Sequence, residues 1–207
     1  MYTLYYAPVT AAFAPHAVLE ELGLDYALAP VDISRDKPRD PAYLALNPNG
    51  WVPTLVDENG PMHEAAAIVI YLADKHGATE LAPSATDPDR GSFLKWLIYM
   101  ADTLQVAYQM HFYPERHSTD PAAIPAIQAK AAERLETVWG RLEAALDPGP
   151  YLLGSRYSAC DIYLYMLATW HPEGEAFLAR VPRIAACVDL VTRRPAIRRV
   201  MTAHGLE

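Results

Sequence analysis

The segment from Leu46 to Gly77, LNPNGWVPTLVDENGPMHEAAAIVIYLADKHG, restricts the fold more than any other part of the chain. Asn59-Gly60 lies between two short apolar runs, residues 52–56 and 62–63, and this dipeptide favours the tight turn of an antiparallel hairpin. A helical period follows over residues 64–76 and stops at the glycine. Strand, hairpin and helix in this order predict a strip of backbone beside a helix N-terminus, which suits an extended, anionic, peptide-like ligand.

The residues before this segment alternate between strand and helix signals. Residues 2–6 are a β-rich run, and the helical period that follows tolerates Pro15 only in its first turn and ends at Gly23. Residues 26–33 are the next β-rich run, so the first two strands should be parallel with a right-handed crossover. Together with the hairpin and its helix, this order predicts a thioredoxin-like α/β domain over residues 1–77.

The remainder of the chain predicts helices. Residues 78–89 are small and Pro-rich and are interpreted as a linker, and from residue 90 to 207 only helical periods are found, so we expect an all-helical C-terminal domain. Ser158 and Asp161 have the spacing of a capping box, whose role is to fold this domain. The expected helices are 93–113, 127–146, 158–170, 182–192 and 195–204.

Composition excludes several functions. A formal net charge of −8 on 207 residues argues against a nucleic-acid surface, which needs clustered Lys and Arg. No apolar run is long enough to span a membrane, and no signal peptide is recognised, so the expected location is cytoplasmic. Cys160 and Cys187 are interpreted as buried structural thiols. The seven histidines show no ligand spacing, so no metal is expected.

Val52-Pro53 and the helix that begins at Glu64 are the first two candidate binding features. A strand that starts with a proline leaves the N–H and C=O of Val52 free to pair with an added peptide, although local sequence alone favours the interpretation that the proline protects an edge strand. Glu64 could meet a ligand ammonium group while the N–H groups of Ala65 and Ala66 meet its carboxylate. The alternative is that Glu64 only stabilises its own helix dipole.

The turn between the first strand and the first helix is the third candidate. A thiol placed there would have its pKa lowered by the helix N-terminus, and Thr10, Tyr5 or Tyr6 could donate a hydrogen bond to the thiolate. Alternatively, Thr10 is a helix cap and the two tyrosines are half-buried strand residues. A fourth candidate is an apolar pocket on the first long helix, although such a stripe is core more often than pocket. Its residues, at helical spacing, are Tyr99, Thr103, Val106 and Met110.

Taken together, these features resemble the glutathione transferase superfamily over essentially the whole chain. The segments that carry the resemblance are LYYAP, APHAVLEELGLDY, LNPNGWVPTL, MHEAAAIVIYLADKHG and GSRYSACD. The first of them, with its spacing to the first helix, is most similar to the bacterial cysteine-type (beta-like) enzymes or a neighbouring class. The resemblance implies a cis Pro53, pairing of the Val52 backbone with the cysteinyl part of glutathione, and binding of the γ-glutamyl end at Glu64.

The chain departs from the family pattern at two positions. The family's catalytic Cys or Ser falls at Ala11, so a mixed disulfide between glutathione and the enzyme is not expected. The serine that usually follows the glutamate is Ala65, which removes one hydrogen bond; a hydrogen bond to a charged group is typically worth ~1.5–3 kcal/mol.

The leading hypothesis is therefore a glutathione-dependent transferase that activates the thiol of its co-substrate for attack on a small hydrophobic electrophile. The alternatives are a catalytically silent ligand-binding or scaffolding protein of the same fold, or a glutathione-dependent isomerase or peroxide reductase. The resemblance also implies detoxification as the role and a homodimer, with the helix that starts near Ser92 at the interface.

Overall fold

The computed structural model describes residues 1–206, which fold into two compact units. The first unit contains Met1–Asp87 together with the chain from Leu190 onward, and the second contains Pro88–Asp189. The break after residue 87 falls within the predicted linker. The predicted helical domain, however, extends to residue 207, whereas its last helix groups with the α/β unit because it packs against the first helix.

The first unit is built on a four-stranded sheet with the strand order β2-β1-β3-β4. β1 pairs in parallel with β2 and the β3–β4 hairpin is antiparallel, as predicted. The β1–β3 pair, for which no prediction was made, is antiparallel as well. Gly60 in the hairpin turn has a φ of +104°, a conformation that glycine adopts without the steric cost of a Cβ. The strands are β1 (Tyr2–Tyr6), β2 (Tyr26–Pro30), β3 (Thr54–Asp57) and β4 (Gly60–His63).

The helices follow in chain order, and their bounds are α1 (Phe13–Glu21), α2 (Pro41–Leu46), α3 (Ala65–Lys75), α4 (Arg90–Tyr99), α5 (Gln105–Phe112), α6 (Ile124–Ala145), α7 (Ala159–Ala168), α8 (Glu175–Leu178), α9 (Pro182–Thr192) and α10 (Pro195–His204). A π-helical turn, Met100–Leu104, joins α4 to α5, and two short 3₁₀ turns lie at Pro114–Arg116 and Pro121–Ala123.

Local signals explain the ends of the helices in the first unit. Pro15 lies in the first turn of α1, where its missing N–H has no intrahelical partner to lose. Gly23 and Gly77 follow α1 and α3 with φ values of +59° and +61°, the left-handed conformation that terminates a helix. β2 ends at Pro30, earlier than the predicted residue 33, because the chain turns where the carboxylate of Asp32 accepts the N–H of Ser34 at 3.0 Å.

In the second unit the predicted capping box is present at the start of α7. The hydroxyl of Ser158 accepts the N–H of Cys160 at 3.2 Å, and the carboxylate of Asp161 accepts the N–H of Ser158 at 2.8 Å. Burial raises the pKa of Asp161 to about 6. Cys160 and Cys187 are free and buried, as predicted, and burial raises the pKa of both thiols.

Two features of the second unit differ from the prediction. The expected continuous helix from 93 to 113 is interrupted by the π turn, which inserts one extra residue into a helical period. The short helix α8 was not predicted because four residues give no readable period. Across the described residues, none of the helices combines the length and hydropathy that a bilayer crossing requires.

Candidate functional site

Three of the predicted site segments meet at one end of the sheet. Thr54, the first residue of β3, pairs with Tyr5 of β1 on one side and with His63 of β4 on the other. Neighbouring strands are about 4.8 Å apart, so Val52-Pro53, just before β3, lies close to Glu64, just after β4. The Val52–Pro53 peptide bond is cis, as the family resemblance implied.

A buried hydrogen-bond network holds the backbone in front of Val52. The carbonyl oxygen of Trp51 accepts from the Tyr43 hydroxyl at 2.5 Å and from the Asn47 side-chain amide at 2.7 Å. Both donors also lie within hydrogen-bond distance of the Thr54 hydroxyl, at 2.9 and 3.2 Å. All three side chains are buried, and burial raises the pKa of Tyr43.

This network determines the direction in which Val52 can bond. In a trans peptide the C=O and the following N–H point in opposite directions, and the Trp51–Val52 bond is not among the cis bonds. Because the Trp51 carbonyl points into the network, the Val52 N–H points away from it. Val52 also lies outside the ladder between β1 and β3, whose pairing ends at Tyr5 and Thr54. Its backbone is therefore oriented to pair with an added strand.

The start of α3 has the geometry of an anion site. Glu64 is exposed and has φ +74° and ψ +105°, a left-handed conformation that costs an L-residue roughly 1–2 kcal/mol. Within the described residues no side chain caps this helix, so its first N–H groups can still donate hydrogen bonds. The positive end of the helix dipole lies at the same place. Ala65 and Ala66 are buried, and the side chain of Ala65 offers no hydrogen-bonding group.

In the turn between β1 and α1, the Thr10 hydroxyl forms hydrogen bonds with backbone groups of the turn. It donates to the Ala7 carbonyl at 2.7 Å and accepts the N–H of Ala12 at 3.3 Å. Val9 has a φ of +54°, and the buried Ala11 presents only a methyl group. Because its hydrogen is already bonded, Thr10 can donate to a ligand only if the bond to Ala7 breaks.

The two tyrosines lie on opposite faces of β1, as successive strand residues do. The ring of Tyr5 is 5.6 Å from that of Tyr43, and the ring of Tyr6 is 5.5 Å from that of His204 in α10. Both tyrosines are half-buried. Tyr5 therefore lies on the face that carries the Trp51 network, and Tyr6 on the face that carries α1.

The residues of the predicted electrophile pocket are distributed over three helical segments. Tyr99 ends α4, Thr103 lies in the π turn, and Val106 and Met110 lie in α5. All four are half-buried. The hydroxyl of Tyr99 accepts a hydrogen bond from Arg141 of α6 at 3.2 Å. The π turn changes the angle between residues before and after it, so spacing alone does not place them on one face.

The other ionisable groups of the described chain offer no ligand cluster for a metal: no group of three or more His, Cys, Asp or Glu residues is assembled among residues 1–206.

Sequence reasoning did not identify the residues that support the site. Asn47, Tyr43 and Thr54 had no assigned role, although a buried asparagine in a turn is a signal that a backbone group needs a partner. The packing of Tyr6 against His204 had no signal at all, because the two residues are far apart in the chain.

Comparison with known proteins identifies the family of the chain. Residues 1–74 match the family model of the glutathione S-transferase N-terminal domain, and residues 101–203 match a model of the C-terminal domain. The chain is 29% identical over 206 residues to glutathione S-transferase GstA of Escherichia coli O157:H7, covering 99% of each protein.

Solved structures extend the match to the fold. A glutathione transferase from Methylococcus capsulatus is 32% identical, with a TM-score of 0.86 and full coverage of both chains. A glutathione transferase homologue from Sulfitobacter, solved with bound glutathione, has a TM-score of 0.90 at 28% identity, covering 100% of this chain and 99% of the other. With both domains matched in order and a relative above 30% identity covered in full, this chain belongs to the glutathione S-transferase family and is a glutathione transferase-like enzyme.

Proposed function

We propose that this chain binds glutathione at the end of the sheet and activates its thiol for attack on a small apolar electrophile. The observation that carries the proposal is the outward orientation of the Val52 N–H beside the uncapped N-terminus of α3. A free backbone edge next to an anion-binding helix end fits a short peptide with a carboxylate.

Each part of glutathione has a counterpart in this arrangement. The backbone of Val52 pairs with the cysteinyl unit, and the adjacent Pro53 restricts the edge to this one residue. The N–H groups of Ala65 and Ala66 hold the γ-glutamyl carboxylate, while the carboxylate of Glu64 faces the ammonium group. Glutathione in this pose directs its thiol towards the turn between β1 and α1, at Ala11.

Thiol activation then depends on hydroxyl donors and on the helix dipole. With its hydrogen given to Ala7, Thr10 contributes through the shape of the turn, and Tyr5 or Tyr6 supplies the hydrogen bond that stabilises the thiolate. The thiol proton leaves to solvent, the sulfur forms a bond to the electrophilic carbon, and the leaving group departs with its electron pair. Ala11 cannot form a mixed disulfide, which favours conjugation over disulfide reduction.

The electrophile is expected to bind at the pocket predicted around α4 and α5. The half-buried side chains named above combine two apolar residues, Val106 and Met110, with the hydroxyl groups of Tyr99 and Thr103. Such a lining suits an apolar molecule that carries one polar group. We further propose a homodimer that works in the cytoplasm on electrophiles that need detoxification.

The test is a calorimetric titration of the purified protein with reduced glutathione. Saturable binding at micromolar to low-millimolar concentration is expected, followed by turnover of a chlorodinitrobenzene. Glu64→Ala should weaken glutathione binding about tenfold or more, because a hydrogen bond to a charged group is lost. The matched control is Glu80→Ala, which removes an exposed carboxylate in the linker region and should leave the affinity unchanged.

Two results would contradict the proposal. Absence of heat at physiological glutathione would indicate a silent ligand-binding member of the fold, and equal affinities of the two alanine variants would remove Glu64 from the site.

A further inference from the structure

A chain of buried hydrogen bonds connects α10 to α1 inside the first unit. His16 Nδ1 lies 3.2 Å from His204 Nε2, and both residues are 1% exposed. The other ring nitrogen of His16, Nε2, lies 2.8 Å from the hydroxyl of Tyr26 in β2. That hydroxyl in turn donates to the carboxylate of Glu20. The chain therefore joins three elements of the unit, and both of its histidines are in the interior.

The far end of the chain fixes the position of every proton. Arg199 Nε donates to Glu20 at 2.6 Å, and although burial opposes it, the bonds from Tyr26 and Arg199 lower the pKa of this carboxyl. An ionised carboxylate only accepts, so Tyr26 must donate to it and accept from His16 Nε2. A neutral His16 then has a bare Nδ1, which accepts from the Nε2–H of His204.

The remaining nitrogen of this chain, Nδ1 of His204, is buried and has no partner among the described residues. The rings of Tyr6 and Phe13 lie beside it, with centroids at 5.5 and 5.2 Å. A proton added to the pair would place a cation at this nitrogen with no acceptor for its hydrogen. Burial lowers the pKa of His16 and of His204 to about 4 each.

The charged groups nearest the two histidines form ion pairs between α10 and α1. Glu20 is already neutralised by Arg199, and the next pair along the same helices joins Arg194 to Glu21 at 2.5 and 2.8 Å. Burial outweighs the attraction of Glu20 for a positive charge on His16, and the buried Nδ1 of His204 has no acceptor among the described residues for the hydrogen that protonation would add.

We propose that His16 and His204 form an acid-sensitive latch that holds α10 on α1 and that His204 thereby positions Tyr6 and the turn in front of α1. At neutral pH the latch is closed because both imidazoles are neutral and share one hydrogen bond. As the pH falls from about 6.5 towards about 4, protonation increasingly opens it, and α10 leaves the rings of Tyr6 and Phe13. The consequence for thiol activation rests on the proposed function, whereas the latch itself does not depend on a ligand.

The first experiment measures the tautomers in the full chain labelled with ¹⁵N-histidine. Long-range ¹H–¹⁵N correlation spectra should show His16 and His204 neutral at pH 6, each with its proton on Nε2. A proton on Nδ1 of His16, or reversible titration of either ring near the ordinary pKa of about 6.5, would overturn the proposal.

The second experiment measures hydrogen exchange of the amides in α10 and in the β1–α1 turn, corrected for the intrinsic rate, at pH 7 and pH 5. A histidine whose pKa falls from about 6.5 when released to about 4 when docked raises the opening constant about twentyfold over this interval. His204→Gln keeps an N–H donor towards His16 but cannot titrate. The change in the opening constant of this variant between pH 7 and pH 5 should therefore be about twentyfold smaller than in the wild-type protein. The double variant with His16→Gln should lose the dependence.

Two references separate the latch from general acid sensitivity. His117→Gln removes an exposed histidine and should behave like the wild-type protein, and the amides of α4, a helix without a histidine or a carboxylate, should not change over the same interval. A wild-type chain without pH dependence in α10, or a double variant that retains it, would overturn the latch. Because no glutathione is present in these measurements, failure of the transferase proposal leaves their outcome unaffected.

Discussion

Ala11 is the residue that most narrows the chemistry of the site. Its side chain is a buried methyl group, and we propose that it takes the place of the family's catalytic thiol or hydroxyl beside glutathione. The neighbouring Thr10 offers no replacement, because its hydroxyl hydrogen is bonded to Ala7. The hydroxyl donors at the end of β1 next to this turn are Tyr5 and Tyr6, and they lie on opposite faces of the sheet.

This separation makes the two tyrosines a matched pair for mutagenesis. One ring at most can reach the bound thiolate, so we expect one of the two variants, Tyr5→Phe or Tyr6→Phe, to raise the pKa of the bound glutathione thiol by about one unit or more. The other variant serves as the control and should leave that pKa unchanged. The measurement is the ultraviolet absorbance of bound thiolate as a function of pH. An unchanged pKa in both variants would mean that backbone N–H groups alone stabilise the thiolate.

At the scale of elements, we propose that the N-terminus of α3 is an anion site that lacks one hydrogen-bond donor. The dipole and the free N–H groups are present, and the left-handed Glu64 turns the chain into the helix, but Ala65 supplies no hydroxyl. Ala65→Ser should therefore tighten glutathione binding about tenfold, since a hydrogen bond to a charged group contributes ~1.5–3 kcal/mol. Calorimetric titration measures the change.

A second serine variant on the same helix tests whether the gain in glutathione affinity is specific to position 65. Ala67→Ser, two residues further along the first turns of α3, adds the same hydroxyl at a half-buried position and should not change the affinity. Equal tightening in both variants would show that the added hydroxyl acts on the helix as a whole and not on the ligand.

The elements also show which parts of the structure local sequence can predict. The hairpin at Gly60, the helix end at Gly77 and the capping box at Ser158 were predicted correctly, because each depends on residues within a few positions of one another. The π turn at 100–104 was missed because an extra residue in a helix changes no local composition.

Local sequence patterns did not predict features that depend on residues far apart in the chain. His16 and His204 are separated by 188 positions, so neither their hydrogen bond nor the return of α10 to the α/β unit has a sequence signal. At the candidate site, Val52, Pro53 and Glu64 were identified, but the network of Tyr43 and Asn47 that orients the Val52 peptide was not. Its members become neighbours only after the sheet and α2 have packed.

At the scale of the whole molecule, the surface expected to form the homodimer interface lies on α4. Ser92, Lys95 and Ile98 of α4 are all exposed and recur every three residues, the spacing of one helix face. Ile98, which is 46% exposed, is the apolar side chain on that face. An exposed apolar residue on the helix that the family resemblance places at the dimer interface is expected to be covered by a second copy.

The homodimer prediction is tested with Ile98→Glu. Light scattering should give the wild-type protein twice the mass of the 22.9 kDa chain at micromolar concentration. An unpaired carboxylate buried in the interface costs at least about 3 kcal/mol, so the dissociation constant of the variant should rise about a hundredfold or more. Ala132→Glu introduces the same charge on an exposed position of α6 and should remain a dimer. A variant at Ile98 that keeps the wild-type mass would place the interface elsewhere, and a monomeric wild-type protein would mean that each chain completes its site alone.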